Sequence, residues 1–232
     1  MGIELAIGIG VALFLAHYMG DAKFLVRLRH REKVISFSAG LFVTYVFLDL
    51  LPILSEGPLL NARIGLVFAV IGFSFFHVLE KYVYKHERKR ERLRQELKEV
   101  HAAAFFLYHF IIGVVIVGIA ETRAVLTTVL LFIPLLSQSI FSSTGLKEIH
   151  LHVRERTIAR ILLSGATVLG VFVALLVPSL AFYHYILLGF VIGALFYVSV
   201  FDAIPRQSKG KSAFFVFGML LYMLIIVASW LV

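Results

Sequence analysis

Two aspartates in this chain stand in the same apolar setting. The first lies in Gly40-LFVTYVFL-Asp49-LL-Pro52 and the second in Gly193-ALFYVSVF-Asp202-AI-Pro205. In both, the Asp follows a Gly by nine residues and precedes a Pro by three. Each run is long enough to cross a bilayer. A carboxylate at that depth costs several kcal/mol or more, so it faces a cavity or a partner. The proline removes a backbone donor and loosens the helix beside the acid. Two readings follow: a pair of acids on a cation pathway, or two acids that cap or pair locally at helix ends.

The elements that must hold these acids are membrane helices. Hydrophobic residues make up 60% of the chain and the mean hydropathy is +0.95, far above a soluble domain. A span needs about 20 mostly apolar residues. Eight candidates run roughly Ile3–Met19, Val34–Leu54, Ala62–Tyr84, Ala102–Ala120, Ala124–Ser143, Ile161–Pro178, Tyr183–Ile204 and Ser212–Val232. Glu4 replaces a basic n-region and no A-x-A site follows, so the first is expected to be a retained helix. Residues 1–232 are expected to form one transmembrane domain.

Charge sets the orientation. Of the 22 Lys and Arg residues, all but Arg63 and Arg123 fall in odd-numbered loops. Basic residues collect on the cytoplasmic side, so odd loops are inside and both termini outside. This also explains the net charge of +8 without a nucleic-acid partner. The expected surroundings are a lipid bilayer, and the expected location is the cell membrane as a multi-pass protein. With no cysteines, thiolate metal sites, disulfides and thiol redox chemistry are excluded.

The third loop, HERKRERLRQELKEVH, carries Leu93, Leu97 and Val100 at helical spacing and is expected to continue helix 3 as a charged segment. It either binds anionic lipid or a regulator, or is a solvated connector. Glu121-Thr122-Arg123 makes helices 4 and 5 an outer hairpin. His150 and His152 read as a transient metal site or as solvated histidines.

In this topology helices 2 and 7 run in opposite directions. The two G-x8-D-x2-P copies then mark an inverted repeat of helices 1–3 and 6–8 around hairpin 4–5, a 3+2+3 arrangement that commonly surrounds an alternating-access site. Asp49 falls towards the outer face and Asp202 towards the inner one.

Together with this order of elements, three stretches resemble the ZIP family of divalent-metal transporters. Ser38-Ala39-Gly40 through Pro52 resembles its second helix, where the family often has His at the position of Asp49. Phe76-His77-Val78-Leu79-Glu80-Lys81 is similar to the end of its third, and Ile192 through Pro205 to its seventh. The resemblance implies alternating-access transport of zinc, iron or a similar ion as substrate, with no resident cofactor, and by family analogy a homodimer. It departs at the metal centre. Where the family carries HNxPE/DG, this chain has Tyr108-His109-Phe110-Ile111-Ile112-Gly113. Where it carries HExPEG, the chain has Phe132-Ile133-Pro134-Leu135-Leu136-Ser137-Gln138-Ser139. Helix 6 has no acid either.

The mid-bundle donors are therefore His109, Tyr108, Ser137, Gln138 and Ser139, a poor set for a desolvated divalent ion that wants about four ligands. His77 and Glu80 share a face of helix 3 and could form an exit site or simply bond a neighbour. His17 and Asp21 at the inner end of helix 1 carry the same two readings. The expected function is ZIP-like cation transport. The alternative keeps the architecture but has lost the binuclear site, and acts on another substrate or as an interaction protein. A haem protein with His77 and His109 as axial ligands is a third class. No nucleophile–base pair or phosphate loop marks an enzyme, and no catalytic residue is assigned.

Overall fold

The computed structural model describes residues 2–19, 31–86, 90–123, 125–145, 157–198 and 211–231. These residues are almost entirely helical. α1 is Gly2–Met19. α2 is Arg31–Tyr45, whose axis continues through a π-helical turn, Val46–Leu50, into a last turn, Leu51–Ser55. α3 is Leu59–His86, α4 Arg90–Thr122, α5 Val125–Gly145 and α6 Thr157–Leu176. A 3-10 turn, Pro178–Tyr183, leads into α7, His184–Val198, and α8 is Ser212–Ser229. Six of these are long and apolar enough to cross a membrane. The apolar parts of α5 and α6, Val125–Ser137 and Ile161–Leu176, are shorter. Helices suit this composition because they satisfy their own backbone groups where water is absent.

Proline and serine set several ends. Pro178 forces Val177 out of the helical region (φ −124°, ψ 75°) and so ends α6. The Ser36 hydroxyl on α2 accepts from the Lys211 amide at 3.0 Å and caps α8 from a neighbouring helix. Residues 87–89, where the charged stretch after helix 3 would join α3, lie outside the described residues; from Arg90 the stretch is helical and runs on into α4. The reason lies in the apolar phase: Leu93, Leu97 and Val100 run on at the same spacing into Ala104 and Tyr108.

The connections gather at two ends. Gly2 packs on the Ala120 backbone and Gly57 on the Tyr185 ring. Glu56 and Arg123 form an ion pair across their connections. The start of α1, the α2–α3 and α4–α5 turns and the 3-10 turn thus share one end. Ser36 and Lys211 lie at the other.

Three helix pairs cross at glycines in one shared pattern. A Cβ on Gly40 of α2 would collide with the Phe215 carbonyl and Met219 amide of α8, while one on Gly218 would meet the Phe37 carbonyl. A Cβ on Gly193 of α7 would meet the Ala69 carbonyl and Phe73 amide of α3, and one on Gly72 the Phe190 carbonyl. Gly113 of α4 faces the Thr167 carbonyl and Val171 amide of α6, and Gly170 faces the Phe110 carbonyl. In each case Phe-x2-Gly on one helix meets a glycine three residues past the contacted carbonyl. Glycine is required because backbones touch there, the usual device for packing helices without a hydrophobic driving force.

The interior is built around Leu13, Tyr45, Leu50, Leu54, Leu188, Leu195 and Tyr222, each 2% exposed or less. Large apolar side chains also cover the outside, for example Val67, Val70 and Val78 on α3 and Phe217 and Leu224 on α8. A water-facing surface of this kind would be exceptional; it is consistent with lipid contact.

Candidate functional site

Asp49 sits inside the π-helical turn of α2. There the Leu51 amide reaches back to the Val46 carbonyl, one residue further than in an α-helix. Pro52 has no amide to give, so the ordinary ladder is already broken at this level, and π turns of this sort recur at functional positions. The Tyr222 hydroxyl of α8 lies 2.6 Å from Asp49 Oδ2 and 3.0 Å from the Leu130 carbonyl of α5. That carbonyl lacks its ordinary α-helical donor for a reason legible in the chain: the donor would be the amide of residue 134, which is Pro134. Two prolines on two helices therefore open the backbone on either side of one phenol. Tyr45 stands edge-on to Tyr222 with ring centroids 6.4 Å apart.

A second polar cluster lies between α1 and α4. His17 and His109 are buried, with ring centroids 4.3 Å apart and planes nearly perpendicular. His109 Nδ1 is 2.9 Å from the Phe105 carbonyl. A carbonyl only accepts, so Nδ1 carries the hydrogen and, in the neutral ring, Nε2 carries the lone pair. His109 Nε2 is buried and has no hydrogen-bond partner among the described residues. The Ser164 and Thr167 hydroxyls of α6 are likewise buried without one among the described residues. Phe105 and Tyr108 close the cluster with their rings.

Apolar side chains fill the space between the two clusters. A cavity of about 20 Å³ there is lined by Ile9, Tyr45, Leu50, Ile112, Leu135 and Leu188 among others. Tyr45 and Leu50 flank Asp49 along α2, and Ile112 follows His109 by one turn. The cavity has room for about one water molecule and almost no polar wall to hold it.

The other candidates are dispersed. Ser137 donates to Ser38 Oγ at 2.9 Å and ties α5 to α2. Ser139 is buried. His77 is half-buried, stacked on Phe73 and edge-on to Tyr197. Glu80 and Gln138 lie on α3 and α5, but their side chains fall outside the described residues, as do Asp21, Asp202, His150 and His152 altogether. Among the described residues, no three His, Cys, Asp or Glu side chains come together. The His17–His109 pair supplies at most two nitrogens where zinc wants four donors.

The chain matches no protein-family model and no curated protein.

Sequence reasoning placed His17 with Asp21, which lies outside the described residues; within them the His17 ring packs on His109. It missed Tyr222 and the Leu130 carbonyl. Both had a signal: Tyr222 is the one hydroxyl between the end serines of α8, and Pro134 marks the carbonyl four residues before it.

Proposed function

We propose that this chain is a multi-pass transporter of the cell membrane with ZIP-like architecture: eight spans in a 3+2+3 inverted arrangement, both termini outside, moving a cation by alternating access. The observation that carries this reading is the correspondence between two of the three glycine crossings. Exchanging helices 1–3 with 6–8 turns the α2–α8 contact into the α7–α3 contact. Gly40 then corresponds to Gly193 and Gly218 to Gly72. Gly40 and Gly193 are the glycines that open the two G-x8-D-x2-P copies. Two halves packed by one rule in opposite senses suit rocking about a central site. On this reading the substrate is a divalent metal such as zinc or iron, and the acids at Asp49 and Asp202 attract it towards the pathway. Uptake of Zn²⁺, Fe²⁺, Mn²⁺, Co²⁺ and Cd²⁺ into vesicles holding the purified protein tests this. Flux of at least one ion, reduced by Asp49→Ala or Asp202→Ala, is expected, and no flux of any of them ends the reading.

A second reading has its own support. The apolar centre and the two-nitrogen donor set favour a ZIP-like bundle that has lost the divalent site and handles another substrate or acts as an interaction partner. Calorimetric metal titration separates the two: tight binding abolished by His109→Ala counts against this second reading.

A further inference from the structure

Tyr222 has one hydroxyl hydrogen and two acceptors within reach, Asp49 Oδ2 at 2.6 Å and the Leu130 carbonyl at 3.0 Å. If Tyr222 donates to a carboxylate, the Leu130 carbonyl loses the Tyr222 hydrogen in a medium with no water to replace it. Pro134 removes the amide that an α-helix would ordinarily offer that carbonyl. One additional hydrogen on Asp49 satisfies every group: Asp49 donates to Tyr222 Oη, and Tyr222 donates on to the Leu130 carbonyl. The other groups here are few. Tyr45 faces Asp49 from its own helix and Tyr222 from α8. Among the described residues α5 contributes the Leu130 carbonyl, and α7 meets the turn with the Phe196 ring against Phe47. Among the described residues no basic side chain pairs with the acid.

From this geometry we infer that Asp49 is a proton-binding site, and that its proton decides whether Tyr222 ties α8 to α5. With the proton on, the relay runs from α2 through α8 to α5. With the proton off, the Tyr222 hydrogen turns to the carboxylate and the Leu130 carbonyl is released. No bond other than the O–H of Asp49 is made or broken, and the proton exchanges with water. The assignment links the α2–α8 crossing to the central α4–α5 hairpin. It stands whether or not the chain moves a substrate; in a transporter it is the place of a coupling proton.

The test uses the full chain in lipid nanodiscs with two readouts. The infrared carbonyl stretch of a protonated acid is expected in the wild type at low pH, lost on raising the pH, and missing in Asp49→Asn. In Tyr222→Phe it persists at higher frequency, having lost its acceptor. Hydrogen exchange over residues 131–137, corrected for intrinsic chemistry, is expected to rise about fivefold with pH in the wild type, as loss of one ordinary hydrogen bond would produce. It stays low at all pH values in Asp49→Asn, whose amide can donate to Tyr222, and high in Tyr222→Phe. The inference is overturned if Asp49→Asn removes no acid stretch, or if exchange in α5 is the same in all three proteins. Asn matches Asp in shape, so a folding failure of Tyr222→Phe alone leaves the comparison of wild type with Asp49→Asn decisive.

Discussion

Alanine at the crossing glycines isolates the contact on which the bundle depends. At Gly8, an added Cβ meets nothing within 4 Å. The substitution there keeps only the gain of a better helix former, about 0.5–1 kcal/mol. At Gly40 the same Cβ lands on the Phe215 carbonyl and Met219 amide. Main-chain atoms cannot rotate aside, so α2 and α8 must separate, and overpacking of this kind costs about 1–3 kcal/mol. Gly193→Ala meets the equivalent atoms of α3 and is expected to cost the same. For a chain of this size about 2–4 °C of melting temperature accompanies each kcal/mol. Gly40→Ala and Gly193→Ala should therefore each melt roughly 2–12 °C below Gly8→Ala, measured by heating in detergent and following the folded fraction on size exclusion. If Gly40→Ala melts with Gly8→Ala, the backbones do not touch as described. If Gly40→Ala and Gly193→Ala differ widely, the two crossings are not equivalent.

Ser36→Ala removes the acceptor for the Lys211 amide at the start of α8, and the same melting assay is expected to show a loss of about 1 kcal/mol. Single cysteines report the ends of the bundle cleanly, since the chain has none of its own. An impermeant thiol reagent should modify Asn61→Cys and Ser179→Cys from one side of sealed vesicles and Lys85→Cys and Lys211→Cys only from the other; labelling of all four from one side would contradict the arrangement of the connections.

Much of the bundle is written locally. Apolar runs give the rods, Pro178 and the Glu56-Gly57-Pro58 turn interrupt them, and Gly40 and Gly193 mark the crossings. Those features depend on neighbours along the chain, so spacing reveals them. The place of the charged stretch was less legible, because its amphipathic pattern fits either neighbouring helix until the phase of Leu93, Leu97 and Val100 is followed into Ala104 of α4. The site itself depends on which helices meet. His17 has an acid four residues on, but its ring packs on His109, far away in sequence. Asp49 stands out in any reading, yet its partner Tyr222 lies 173 residues further on. Only Pro134 betrayed the carbonyl that makes the cluster unusual, and a proline reads first as a kink.

Cation uptake, measured side by side in vesicles holding the wild type, vesicles holding Asp49→Asn, and empty vesicles, bears most directly on the proposed transport. Wild-type uptake of at least one divalent ion above the empty vesicles, with Asp49→Asn clearly slower, is the expected result. Wild-type uptake at the level of empty vesicles, or equal rates in wild type and Asp49→Asn, would contradict a cation pathway through this acid.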